Sequence, residues 1–139
     1  MPSTIEEAVA LTVDKDGLLY VAGGELNKVF TYDPASEFFD IKGSLGGSGD
    51  VLRMISTADG LIYIGCAVSG YFVRYDPERP WEKSSQSDAN DKPGVNPRVF
   101  HHTGKVNALT EGQDNIIYFG NLSGNLFFFA GEEDPSSQM

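Results

Sequence analysis

AVALTVDKDGLLYVAGGELNKVFTYDP at residues 8–34 is followed by VLRMISTADGLIYIGCAVSGYFVRYDP at 51–77 and VNALTEGQDNIIYFGNLSGNLFFFAG at 106–131. Tyr20, Tyr63 and Tyr118 mark the same point in each copy, 43 and then 55 residues apart. A motif repeated at that interval, with strand-like content, signals an array of small sheets.

Each copy opens on a short apolar strand, Ala8–Thr12, Val51–Ser56 or Val106–Thr110. Asp16-Gly17, Asp59-Gly60 and Asp114-Asn115 follow, and such pairs favour the positive φ angles of a two-residue hairpin turn. The next runs, LLYVA, LIYIG and IIYFG, are apolar without alternation. That pattern predicts a second strand buried on both faces. A glycine-containing loop leads to a third strand, VFTYD, YFVRYD or LFFFA. Asp33-Pro34 and Asp76-Pro77 end it in the first two copies, because proline cannot donate to a ladder. A polar fourth strand is expected at Glu37–Lys42 and a short one at Trp81–Lys83. Residues 84–97 read as an inserted loop, and no fourth strand is expected in the third copy before the tail at 132–139.

Strand, Asp-Gly turn, Tyr-x-Gly strand, Gly loop and Tyr-Asp-Pro together resemble a β-propeller blade, of the two-component-regulator or YVTN/quinoprotein-like kind. The resemblance implies an all-β partial propeller of about three blades, near 8–42, 51–83 and 106–131, the third lacking its outer strand. Three blades leave two apolar sheet faces uncovered. The chain is therefore expected to self-associate, as a homodimer closing a six-bladed ring, or to continue into further blades. In the dimer, Pro2–Glu6 is expected to complete the partner's third blade as an added strand.

The 139 residues carry a net charge of −10, with 40% hydrophobic residues. That surface repels nucleic-acid phosphates and anionic membranes, so neither partner is expected. A single cysteine, Cys66, rules out an internal disulfide and a cysteine-based metal site. The first residues lack the pattern of a signal peptide and no run suits a membrane-spanning helix, which makes the cytoplasm the default location. Asp14-Lys15-Asp16-Gly17 starts like a calcium loop, but no closing glutamate follows and strand residues take its place. GSLGGSG at 43–49 has neither the lysine nor the helix of a phosphate loop. No metal and no cofactor are expected.

In propellers a ligand site lies at one end of the ring, on loops before the first strand and between the second and third. The resemblance places Asp50, Arg53, His101, His102, Lys105, Asn107 and Asn121 there, with Glu25, Asn27, Lys28 and Asn125 nearby. Arg53 stands out, because Ala10 and Ala108 occupy its position in the other copies. No carboxylate–histidine cluster recurs on the inner strands. The reading is a non-catalytic module acting by assembly or by binding a partner or ligand. The alternatives are the sensory propeller of a larger receptor, and part of a propeller enzyme such as a carbohydrate lyase or hydrolase.

Overall fold

The structure, a computed structural model, describes residues 8–23, 28–45, 51–66, 71–81, 95–101, 106–121, 124–129 and 137–138. They form three four-stranded antiparallel sheets. The first runs β1 (Ala8–Val13), β2 (Leu19–Gly23), β3 (Lys28–Asp33) and β4 (Phe38–Ser44). The second holds β5 (Val51–Ser56), β6 (Ile62–Cys66), β7 (Tyr71–Tyr75) and β8 (Arg98–His101). The third holds β9 (Val106–Glu111), β10 (Ile117–Asn121), β11 (Leu126–Phe129) and β12 (Ser137–Gln138). Strands neighbour one another in chain order, and β1, β5 and β9 lie side by side as the inner edge.

Two positions differ from the sequence expectation. The outer strand of the second sheet is Arg98–His101, beyond the polar insertion, rather than the segment at Trp81. Trp81 instead plugs the groove between blades: a Cβ on Gly43 of β4 would fall 2.3 Å from its indole nitrogen, and its ring lies 5.1 Å from Tyr75. The outer position of the third sheet, expected empty, is held by Ser137–Gln138 paired with Phe127 and Phe128. Two polar residues carry no apolar alternation, so only backbone pairing defines that strand. It occupies the place expected for a partner's Pro2–Glu6, residues that lie outside those described.

The hairpin turns also divide. At Asp14–Gly17 the Gly17 N–H reaches the Asp14 carbonyl (3.1 Å) and only Gly17 has positive φ, +85°. This is a type I turn closed by a left-handed glycine, and Thr57–Gly60 repeats it with Gly60 at φ +88°. The third copy has no glycine at that point, and there Asp114 and Asn115 both adopt positive φ, 58° and 61°. The two-residue turn expected in all three copies is thus found only where Asp-Asn replaces Asp-Gly.

Two apolar layers fill the spaces between sheets. The first joins Tyr20, Ala22 and Val29 to Met54, Ile62, Ile64, Val73 and Tyr75. The second joins Tyr63, Phe72 and Phe100 to Leu109, Ile117, Phe119 and Phe129. Because side chains alternate along a strand, each sheet shows one face to the preceding blade and the other to the next. The middle strands of the second sheet are covered on both faces by their neighbours, and in the first sheet Val21 and Phe30, on the outward face, are buried too.

Candidate functional site

The inner edge has a repeated irregularity. In each sheet the first strand slips register near its start, leaving Val9, Leu52 and Asn107 as the extra residues of a bulge. Bulges bend a strand at the rim of a sheet and redirect its ends. Arg53 follows the bulge on β5 and is exposed. Asn107 is the bulge residue of β9, and Asn121 ends β10 opposite Val106. These three positions therefore share one end of the inner edge. His101 does not: it ends the outermost strand β8, opposite Tyr71, three strands from β5. The expected inner site is corrected there, because the polar insertion returns the chain as an outer strand. Lys28 opens β3 and is exposed, and Asn125 precedes β11. Asp50, His102, Lys105, Glu25 and Asn27 lie outside the described residues.

The opposite end carries the hairpin turns. Asp14 is committed to its turn, where its Oδ1 accepts the N–H groups of Asp16 (2.9 Å) and Leu18 (3.0 Å). The Thr57 hydroxyl donates to Asp59. Asp14, Asp16, Asp59, Asp76 and Glu78 surround a cavity of about 70 Å³ with Lys15. Among the described residues no three His, Cys, Asp or Glu side chains are arranged to hold a metal ion. At this end consecutive blades are also tied by polar links. The Ser56 hydroxyl donates to the Val13 carbonyl (2.6 Å), and both Glu111 carboxylate oxygens accept the Ala58 N–H (3.1 Å). Val13, Ser56 and Glu111 occupy one repeat position, so each link runs from an inner strand's last residue to the previous blade.

Buried phenols mark the interfaces. Burial pushes Tyr63 up to about 12; the Arg74 guanidinium, which donates to its hydroxyl, opposes the shift and Asp59 adds to it. Tyr20 is raised further, by burial first and then by Asp14, and Tyr75 is raised by burial, Asp76 and Asp40.

The two outermost faces are apolar as well. On the first sheet, register aligns Leu11, Val21, Phe30 and Ile41 in one row and Val13, Leu19, Tyr32 and Phe39 in the next. All eight lie on the face turned away from the second sheet. Leu11 is 60% exposed and Ile41 54%, whereas Val21 and Phe30 between them are buried. On the third sheet the outward face carries Ala108, Thr110, Tyr118, Gly120, Leu126 and Phe128. Several of these residues line a shallow apolar depression of about 190 Å³, and Leu126 is 47% exposed. Sequence reasoning expected two apolar end faces but could not assign residues to them, because assignment needs the register.

Solved structures share this architecture. A chain of the "Crystal Structure of Mitotic Checkpoint Complex" superposes with TM-score 0.68 at 17% identity, over 95% of this chain and 37% of its own length. A chain of "YCF48 bound to D1 peptide" gives 0.64 at 14% identity, over 94% and 39%. A PQQ-bound aldose sugar dehydrogenase from Streptomyces coelicolor gives 0.55 at 17%, over 95% and 49%. The fold is a partial β-propeller. This chain spans less than half the length of each of these propeller proteins, and at such identities the likeness is one of fold alone. No protein-family profile and no curated protein matches the sequence. Among the described residues no helix is long and apolar enough to cross a membrane.

Proposed function

We propose that this chain is a propeller module that works by assembly, its third sheet docking on the first sheet of a second copy so that two chains pool six blades. One repeated contact carries the reading. At the first interface Tyr20 meets Tyr75 edge to face, with ring centroids 6.4 Å apart at 63°. At the second, Tyr63 meets Phe129 in the same way, 6.1 Å apart at 64°. The pair joins the middle-strand tyrosine of one blade to the third-strand aromatic of the next. By register Tyr32, Tyr75 and Phe129 share that last position. Tyr118 on the last face and Tyr32 on the first are the two halves of a third such pair, and neither has its counterpart within the chain's own blade order. An edge-to-face pair contributes about 0.5–1.5 kcal/mol beyond the area it buries.

Two copies related by a two-fold axis bring Tyr118 of each to Tyr32 of the other, covering both faces at once. Light scattering on the intact chain tests this. The expected mass is twice the 15.1 kDa of one chain, and Tyr118→Arg should return it to one chain while leaving the β-sheet circular dichroism unchanged. A single-chain mass for the unsubstituted protein at every concentration would overturn the proposal.

A further inference from the structure

The fourth residue of each inner strand is Leu11, Met54 or Leu109. Register gives the three one place, opposite Val21, Ile64 and Phe119 of the middle strands. Met54 is 4% exposed and Leu109 5%. Each is buried in the apolar layer shared with the preceding blade, Met54 with Tyr20, Ala22 and Val29, and Leu109 with Tyr63 and Phe72. Leu11, on the face turned away from the second sheet, is 60% exposed. Val13 repeats the contrast. It is 51% exposed at the position from which Ser56 and Glu111 reach the preceding blade.

The third sheet offers a matching surface. At the second junction the start of β9 comes so close to β6 that a Cβ on Gly65 would sit 2.8 Å from Val106 Cγ1. Gly120 holds Gly65's place on β10, and the only atoms within 4 Å of where its Cβ would stand belong to Asn125 and Ala108 of its own blade. Around it Ala108, Thr110, Tyr118 and Leu126 line the apolar depression of about 190 Å³. Charge favours a second copy as its occupant. The chain carries a net charge of −10, yet none of the residues aligned on either outward face bears a formal charge. Two such faces meet without desolvating an ion or opposing like charges.

We infer that Leu11 is the anchor of the assembly, seated in this depression on the third sheet of a second copy, in the place that Met54 and Leu109 take within the chain. The inference rests on the assembly proposed above and names the side chain that holds it. Sedimentation equilibrium on the intact chain measures the two-chain dissociation constant. Leu11→Ala should raise it about a hundredfold or more, because a two-fold ring contains the contact twice, and should leave the circular dichroism unchanged. Leu11→Met, the side chain found at the first junction, should stay within about threefold of the unsubstituted chain. Phe38→Ala should change nothing: Phe38 is 64% exposed, but register sets it on the other face of the first sheet. A single-chain mass for the unsubstituted protein would overturn the assembly and the anchor together. A two-chain protein whose dissociation constant is unmoved by Leu11→Ala, or moved as far by Leu11→Met or Phe38→Ala, would overturn the anchor alone.

Discussion

Gly65 and Gly120 hold the same place in two successive repeats, yet their surroundings are opposite. A Cβ on Gly65 would sit 2.6 Å from the Val106 carbonyl oxygen, because the next blade's inner strand lies directly against it. A Cβ on Gly120 would meet nothing closer than 3.6 Å, the Asn125 carbonyl of its own sheet. Their neighbours follow suit. Phe72 beside Gly65 is fully buried, stacked 4.6 Å from Phe119, whereas Leu126 beside Gly120 is 47% exposed. One face is a finished junction between blades, and the other repeats its tyrosine and glycine without the cover. The repeat writes the residues of a junction whether or not the chain supplies the neighbour.

The widest contrast is expected from truncating the two large residues. Phe72→Ala opens a cavity among Tyr63, Phe100, Phe119 and Phe129 and should cost about 3–5 kcal/mol in urea unfolding. Leu126→Ala should cost the isolated chain no more than about 0.5 kcal/mol. Equal losses would erase the distinction between the faces.

Alkaline titration sharpens the same contrast. Tyr63 holds its proton in the folded state up to about pH 12, while in the unfolded chain it ionises near its ordinary value of 10. Its contribution is complete below pH 10 and declines between about 10 and 12, by roughly 1.4 kcal/mol for each pH unit. Tyr63→Phe should flatten that part of the stability curve, and an unchanged slope would count against a buried phenol at the junction.

Glycine substitutions come next. Gly65→Ala must displace the Val106 backbone and is expected to cost about 1–3 kcal/mol, as overpacking does. In a Tyr118→Arg background, which keeps the third sheet's outward face open, Gly120→Ala should be neutral or slightly stabilising, since glycine weakens strands. The smallest effect concerns the polar links. Glu111→Ala leaves the Ala58 N–H without its carboxylate and should lower stability by about 1 kcal/mol, less at high salt.

Much of the architecture was legible because the repeat states it three times. The tyrosines, the apolar middle runs and the turn residues each fixed an element. The outer strands were not legible. Arg98–His101 follows a polar insertion whose length hides the return of the chain, and Ser137–Gln138 has no side-chain pattern. Of the candidate site residues, Arg53 and Asn107 lie near the start of inner strands and Asn121 ends β10 beside them, while His101 lies on the outer edge. The Arg74–Arg98 pairing was invisible for the same reason as β8. Arg74 and Arg98 are 24 positions apart, and only strand pairing brings them face to face.

The central claim is that the two end faces are halves of one junction. Leu11→Cys and Leu126→Cys, introduced together in a Cys66→Ser background, place one exposed thiol on each face. Packed sheets lie about 10 Å apart, so a short thiol-to-thiol cross-linker cannot bridge the first and third sheets of a single chain. Treatment in dilute solution should give a covalent two-chain product, abolished when Tyr118→Arg is added. Single chains only, with both thiols modified, would contradict the claim.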